Sequence, residues 1–322
     1  VNILITGVNG FVGGHLARAL AGIPGARLFG TTLTEGEQPA APDNVTRVQA
    51  DITDLSSVTR AIEVSKPERI FHIAGQAFVP RSFQDPMETF TTNIVGTLNV
   101  LEAMRKLSAQ GAPPCSALVV SSGEVYGDVR AENLPIRESS PLTPSNPYAT
   151  SKASADMLAR QYRKTFGLDV VVARPFNHLG PGQNELFVGS AFAKQVAEIK
   201  AGKREPRIYV GNLDPERDFT DVRDVVRAYI ALSSERQKED VFNICTGTSV
   251  SIQRVLHLLI RTSGIEAEII TDPERARRNE IPRIVGDSSR LRQATGWKPE
   301  VPLEQTVRDL LAYWEERVGR AG

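Results

Sequence analysis

The chain has 322 residues, 41% of them hydrophobic and 24% charged, an ordinary globular composition with enough length for one large domain or two joined ones. Its 38 basic and 38 acidic residues cancel, and a neutral chain has no long-range field to gather nucleic acid or acidic membrane, so neither is expected as a partner. The two cysteines, Cys115 and Cys245, make neither a metal-ligand spacing nor a disulfide framework, which fits a reducing cytoplasm. No apolar run reaches the length of a membrane span, and a first strand opening at Val1 or Asn2 leads us to expect no signal segment ahead of it.

Short apolar runs alternate with helical patterns through the first half. Asn2 to Thr6 predicts a buried strand, followed by a glycine turn and a helix over Val12 to Leu20. Further strands are predicted at Ala26 to Thr31, Arg47 to Ala50, Ile70 to Ile73, Ala117 to Ser121 and Val170 to Ala173, with long helices over Met87 to Ala109 and Ala149 to Phe166. Strands spaced by helices predict an α/β fold with a doubly wound parallel sheet, Rossmann-like, covered on both faces and joined by right-handed crossovers. After Arg174 the rhythm changes. Pro175 to Asn184 reads as a loop, then helix Ser190 to Ala201, strand Arg207 to Val210 and helix Val222 to Ser233. Val241 to Cys245 reads as a late strand returning to the main sheet, and helices close the chain at Ser251 to Ser263 and Leu303 to Val318. The expected division is a dinucleotide-binding domain of residues 1–173 and 218–246, with a smaller α+β cap of residues 174–217 and 247–322.

Gly7, Gly10 and Gly13 form G-x-x-G-x-x-G directly after a strand and directly before a helix. In that context Gly7 permits the tight turn, Gly10 lets the backbone approach a pyrophosphate, and Gly13 lets the helix pack on the strand, with Phe11 and Val12 opening the helix whose N–H groups face the phosphates. An acid that would hold the adenosine ribose is absent after the second strand, where Thr32 and Leu33 stand, and Arg27 lies at the wrong end of that strand for a 2′-phosphate. The choice between NAD and NADP therefore stays open. Asp51, followed by Ile52, is placed either to accept from the adenine amine or to cap the next helix.

Tyr148 and Lys152 stand four apart and share a helix face behind Pro147. A neighbouring ammonium favours the phenolate, so the tyrosine pKa is expected to be lowered, toward use as a general acid or base. Ser122, in Ser121-Ser122-Gly123-Glu124, follows the fifth strand at the carboxyl edge, where doubly wound folds bind ligands.

Together the glycine loop, Ser122, Tyr148 and Lys152 resemble the short-chain dehydrogenase/reductase superfamily, and the length and cap segments resemble its extended, nucleotide-sugar branch. The landmarks run through the chain: GVNGFVG at 7–13, DI at 51–52, HIAGQA at 72–77, NIVGTLNVLEA at 93–103, SSGEVYG at 121–127, NPYATSK at 146–152, ARPFNHLGPGQ at 173–183, RDFTDVRDVVRAY at 217–229 and GWKP at 296–299. SSGEVYG, RPFNHLGPGQ and GNLDPERDF most resemble the members that act on GDP-mannose derivatives. The resemblance implies NAD(P)H-dependent reduction of the C4 ketone of GDP-4-keto-6-deoxy-D-mannose to GDP-D-rhamnose. Dehydration of GDP-mannose, or another nucleotide-sugar epimerisation or dehydration, is the alternative; a non-catalytic NAD(P)-binding regulator is a remote one. Dehydratases carry T-S-E or T-D-E where this chain has Ser122-Gly123-Glu124, and Gly123 offers no group to assist a leaving hydroxyl. Glu124 is then left either as a base or as a partner for a sugar hydroxyl. A G-x-S-x-G elbow with triad partners is absent, which removes acyl transfer.

The same resemblance implies a cofactor site that includes Ala74, Gly75 and Pro175 besides the glycine loop, Thr32, Asp51, Ile52, Tyr148 and Lys152. It implies a GDP-sugar held by Arg81, Ser82, Asn177, Val188, Lys194, Arg217, Arg277 and Glu280, with guanidinium forks on phosphate or sugar oxygens. His178 lacks a carboxylate partner nearby in sequence and reads as structural, as do His15, His72 and His257. A homodimer is expected through a four-helix contact of helices 87–109 and 149–166 with their copies, and no metal site is expected.

Overall fold

The computed structural model describes residues 1–33, 42–273 and 281–320. In the first half, strands β1 (Asn2–Thr6), β2 (Arg27–Thr32), β3 (Val45–Gln49), β4 (Arg69–His72), β5 (Ser116–Val120) and β6 (Asp169–Pro175) alternate with helices α1 (Phe11–Ala21), α2 (Leu55–Ser65), α3 (Val79–Gln84), α4 (Pro86–Phe90), α5 (Gly96–Ala109) and α6 (Pro147–Phe166). The second half contributes β7 (Asn177–Leu179), α7 (Val188–Lys200), β8 (Arg207–Val210), β9 (Glu216–Asp221), α8 (Val222–Ser233) and β10 (Val241–Ile244). It ends with β11 (Ser249–Ser251), α9 (Ile252–Ser263), β12 (Glu268–Thr271), β13 (Arg283–Ile284), α10 (Ser289–Thr295) and α11 (Leu303–Arg320).

Seven strands form one parallel sheet in the order β10-β6-β5-β4-β1-β2-β3. The expected parallel α/β sheet is therefore present, and Val241–Ile244 does return to its edge. Both faces are covered. Ile3, Ile5, Leu16, Leu20, Phe71, Val225 and Phe242 form a core under α1 and α8, while Leu4, Ile70, Val100, Leu101, Ala117 and Val172 form another under α2, α5 and α6. Successive residues of β1 point to opposite cores, which is why the strand reads as an unbroken apolar run. The chain leaves β1 toward β2 on one side and passes from β3 back to β4 on the other, so a crevice opens beyond the carboxyl ends of β1 and β4.

The smaller layer has its own core of Phe192, Val196, Ile208, Leu256, Leu259, Leu310 and Trp314. Its sheet joins β11, β9 and β13, with β7 also pairing β9, and β12 pairs separately with β8. Two segments sit on the other side of the expected division. β9 belongs to this smaller sheet, and Leu291 and Trp297 pack into the core under α1 and α8.

Several local expectations are corrected. The predicted loop over Pro175–Asn184 contains β7. The predicted single helix 87–109 is three pieces, because a π-helical turn at Thr91–Val95 separates α4 from α5. β9 has the polar sequence ERDFTD and carries no apolar alternation, yet five of its six residues are buried. Its carboxylates explain this: Asp218 accepts from Thr246 N, Thr246 Oγ1 and Gly247 N at 2.6–2.9 Å, and Asp221 accepts from Arg223 and Thr306 at 2.7–2.8 Å. Buried polar atoms that are fully hydrogen-bonded are compatible with a strand interior, and the periodicity of hydrophobic residues does not register them.

Candidate active site at the carboxyl edge of the large sheet

The glycine loop is shaped by contacts that exclude a side chain. Gly7 has φ 71°, and a Cβ on it would lie 3.0 Å from Ala74 Cα. A Cβ on Gly13 would lie 2.3 Å from Gly7 O and 2.9 Å from Val8 Cα, so α1 can approach β1 this closely only with glycine there. Gly10 is exposed and caps α1 without a side-chain hydrogen bond, and the first turn carries no acid, so its N–H groups are open to an anion. Thr31 Oγ1 accepts from Gly7 N at 3.1 Å, and Thr6 Oγ1 accepts from Ile73 N and Ala74 N at 3.0 and 3.1 Å, which fixes the loops after β1 and β4 to each other.

Phe11 does more than open a helix. His178 stacks on its ring at 6.0 Å and 9°, and His15 meets it edge-on at 5.6 Å. His15 Nε2 donates to Pro181 O at 2.8 Å, and His178 Nδ1 donates to Phe176 O at 3.1 Å, each carbonyl being an acceptor only. Burial lowers the pKa of both imidazoles. The loop between β7 and α7 is thus seated on the first turn of α1. His178, read from sequence as structural, stands beside the glycine loop through this stack, a neighbour that lies 167 residues away in sequence and has no local signature.

Ser122, Tyr148 and Lys152 meet at the ends of β5 and α6. Ser122 caps a 3₁₀ turn over Gly123–Tyr126, its hydroxyl accepting from Glu124 N at 3.1 Å. Asn146 caps α6 by accepting from Ala149 N at 2.8 Å, with Pro147 in the first turn, so Tyr148 and Lys152 fall on consecutive turns of one face. Both are buried, and the Ser122 hydroxyl stands close enough to the Tyr148 phenol to act on its ionisation. The expected lowering of the tyrosine pKa is not what the structure gives. Burial pushes the phenol up to about 12, Ser122 pulls it down, and the Glu124 charge raises it. Desolvation of the phenolate outweighs the pull of the Ser122 hydroxyl.

The cation itself is under strain of the same kind. Lys152 Nζ donates to Val120 O at 2.9 Å, and burial lowers its pKa to about 8. A Cβ on Gly75 would lie 2.8 Å from Asn93 Oδ1 and 3.5 Å from Lys152 Nζ, so the Gly75 backbone passes directly over the ammonium. Asn93, buried on the π-helical turn, accepts from Gln76 N at 2.8 Å and donates to Gln76 O at 3.0 Å and Ser151 Oγ at 2.8 Å. It ties the loop after β4 to α6. His72 is neutral, its pKa lowered to about 3 by burial and by Lys152; Thr97 spends its proton on Asn93 O, so His72 Nε2–H donates to Thr97 Oγ1 and Nδ1 accepts from Thr6. Sequence reasoning missed Asn93 because a helix-interior asparagine turned inward by an extra backbone residue leaves no periodic signal.

Comparison with known proteins bears on what this geometry belongs to. A family model described as GDP-mannose 4,6 dehydratase matches residues 4–310. The chain belongs to the GDP-mannose 4,6-dehydratase family. It is 39% identical to the GDP-6-deoxy-D-mannose reductase of Pseudomonas aeruginosa over 98% of both chains, and 29% identical to a GDP-mannose 4,6-dehydratase of Vibrio cholerae over 96% of this chain and 92% of that one. A solved structure of RMD from Pseudomonas aeruginosa complexed with NADPH superposes with a TM-score of 0.84 at 38% identity, covering 98% of this chain and 100% of that one.

Within this family fold, the remaining expected residues divide by place. Thr32 is buried at the end of β2, Pro175 is buried at the end of β6, and Ile52 is buried with its carbonyl accepting from Asn99 Nδ2 at 2.9 Å. Asp51 is exposed beyond β3 and turns on Thr53, accepting from its N and Oγ1 at 2.8 Å; the helix cap is Asp54 instead, which accepts from Ser56 N at 2.9 Å. Ser82, expected in the sugar pocket, is fully buried and donates its hydroxyl to Val79 O at 2.7 Å, so it is not presented to the cleft. Arg81 is exposed and paired with Glu88 at 2.6 Å. Arg217 is buried on β9 and donates to Glu216 O at 2.8 Å. Asn177 and Val188 are partly exposed, and Lys194 pairs with Glu185 at 2.8 Å over the Trp314 ring. Arg277 and Glu280 lie outside the described residues. Among the described residues no group of His, Cys, Asp and Glu is arranged to hold a metal, and no helix is long and apolar enough to cross a membrane.

The Lys152 shift carries a stability consequence. Its folded pKa of about 8 lies below the ordinary 10.5, so the unfolded chain binds this proton more tightly; the penalty is full below pH 8 and is relieved as pH rises from about 8 through 10.5. Lys152→Met, which removes the buried charge, is expected to raise the unfolding free energy of the ligand-free protein at pH 7 by roughly 1–3 kcal/mol in urea titration, and that gain is expected to shrink as pH rises from about 8 and to vanish above the unfolded pKa of 10.5. A less stable variant at pH 7 would contradict the assignment of a costly charge.

Proposed function

We propose that the chain reduces the C4 ketone of GDP-4-keto-6-deoxy-D-mannose with NAD(P)H, yielding GDP-D-rhamnose, as an oxidoreductase of the extended short-chain dehydrogenase/reductase type. The observation that carries this reading is the convergence of Ser122, Tyr148 and Lys152 at the carboxyl edge beside a glycine cradle, with no side chain at Gly123. Gly7, Gly10 and Gly13 with the first turn of α1 would hold the dinucleotide's diphosphate, and Gly75 with Lys152 would face its nicotinamide ribose. Within the described end of β2, Gly30–Leu33, no carboxylate stands to repel a 2′-phosphate. The cofactor, when bound, supplies a hydride to C4.

The protein's own groups handle the proton. Ser122 and Tyr148 donate to the ketone oxygen and polarise it; as C4 gains its hydride, the phenol proton passes to that oxygen and an alcohol forms. A phenol pushed up to about 12 stays protonated at neutral pH, which suits a proton donor. Lys152 stabilises the phenolate that is left, until water returns the proton. Glu124, half-buried and near Asn146 Nδ2 at 3.5 Å, is left to hold a sugar hydroxyl. A dehydratase needs a further polar group to expel the C6 hydroxyl. Position 123 has none, and a Cβ there would already lie 3.0 Å from the Phe176 ring. On this reading Asn177, Val188, Lys194, Arg217 and Arg81 would be ligands for the nucleotide sugar.

We also propose a homodimer in the cytoplasm. Support for the dimer is the apolar exposure on α6, where Met157 is 62% and Phe166 47% exposed, beside Val95 ahead of α5 at 38%. The cytoplasmic reading is supported by two unpaired cysteines.

The assay supplies GDP-4-keto-6-deoxy-D-mannose with NADPH or NADH and follows loss of the reduced cofactor. Turnover is expected with the wild type; Tyr148→Phe should lose roughly 10²–10⁴-fold in kcat while binding cofactor normally, and Glu124→Gln should stay within about threefold. Turnover only from GDP-mannose with oxidised cofactor, with Glu124→Gln inactive, would replace reduction by dehydration. Light scattering at micromolar concentration should give twice the mass of one chain; the mass of a single chain would sink the dimer.

A further inference from the structure

The largest fully buried side chain among the described residues is not apolar. It is Arg174 on β6, 1% exposed. Its Nε and Nη2 donate to the two oxygens of Asp156, itself fully buried, at 2.7 and 2.9 Å. Its Nη1 donates to Tyr126 Oη at 2.8 Å, and the guanidinium carbon lies 5.0 Å from the Tyr126 ring centroid. Tyr126 Oη in turn donates to Asn243 Oδ1 on β10 at 2.6 Å. None of these side chains has a part in the binding or proton transfer described above.

Their places in the chain explain why they matter. Asp156 lies on α6 one turn beyond Lys152 and two beyond Tyr148. Tyr126 closes the 3₁₀ turn that Ser122 opens. Arg174 stands three residues before Asn177 on the strand that leads into the cap. One guanidinium therefore joins the three elements that bear Ser122, the Tyr148 and Lys152 pair, and Asn177. A buried ion pair is a poor source of stability, since well-packed apolar residues of similar volume hold a core as firmly or more so. What the apolar alternative lacks is direction: a planar fork on a carboxylate fixes the rotation of α6 against β6, and the third arm fixes the turn at Tyr126.

We propose that the Arg174–Asp156–Tyr126 junction is a positioning device that holds the Ser122 hydroxyl and the Tyr148 phenol in register at one reacting oxygen. It rests on the reductase reading above. The test compares the wild type, the double variant Arg174→Met/Asp156→Leu, and Tyr126→Phe, each measured with saturating NADPH. The apolar double variant should keep its melting temperature and its KM for the keto sugar within about threefold, while kcat falls by about 10- to 100-fold, the loss that a misplacement of order 1 Å brings. Tyr126→Phe, which keeps the ring and removes one arm, should lose about three- to tenfold in kcat alone. A stable double variant with wild-type kcat would make the junction merely structural and overturn the proposal. Should the double variant fail to fold, Tyr126→Phe decides: lowered kcat at unchanged KM and melting temperature supports the role, and unchanged kcat overturns it. An inactive wild type would instead sink the reductase reading and this proposal with it, whereas an active wild type with unaltered variants sinks the positioning role only.

Discussion

A lysine ammonium buried against one backbone carbonyl sets the terms for the rest of the site. Lys152 has Val120 O as its hydrogen-bond acceptor, and no carboxylate contributes to its shifted pKa. A charge so placed is costly, and the surrounding elements are arranged to hold it there. The backbone above it is Gly75, where a side chain would strike Asn93; Asn93 is turned inward by a π-helical turn; and the histidine behind it, His72, is kept neutral by burial and by that same charge. Under the proposed reduction, this arrangement serves proton donation by Tyr148. A buried phenol is hard to ionise, so it stays protonated until a substrate oxygen takes its proton.

The smaller layer completes the site by being locked to the larger one at several points. His178 on Phe11, with His15 on Pro181 O, fastens the loop after β7 to the first turn of α1. Asp218, fully buried on β9, collects donors from the chain just beyond β10, and Trp297 Nε1 donates to Asp224 O under α8. Each lock uses a polar group satisfied inside the fold. Such groups define one docking geometry where apolar packing alone tolerates several.

What could be read from the chain was what is local in it. The glycine triplet between a strand and a helix, the Tyr148 and Lys152 pair behind Asn146 and Pro147, and Ser122 after β5 are short-range patterns with a direct backbone meaning, and all of them meet at one sheet edge. Less legible was anything decided by burial. The Tyr148 pKa moves up, opposite to the expectation, because a pairwise charge rule omits the desolvation of the phenolate. Ser82 looks from sequence like a pocket residue yet spends its hydroxyl within its own helix. Asp51 and Asp54 are three apart in a run of capping residues, and which of them caps depends on where the strand ends. Asn93, Asp218 and Arg174 fall inside motifs that the sequence shows, yet their roles were not legible, for a shared reason: polar side chains in a core are placed by partners remote in sequence.

The central claim is that this site delivers a hydride to C4 of a 4-keto sugar while Tyr148 supplies the proton to its oxygen. The most direct measurement is to run the reaction with reduced cofactor carrying deuterium at the transferable position and locate the label in the sugar product by NMR. The account predicts one deuterium, at C4 and on a single face. Label at C6, or a product formed without label, would contradict it.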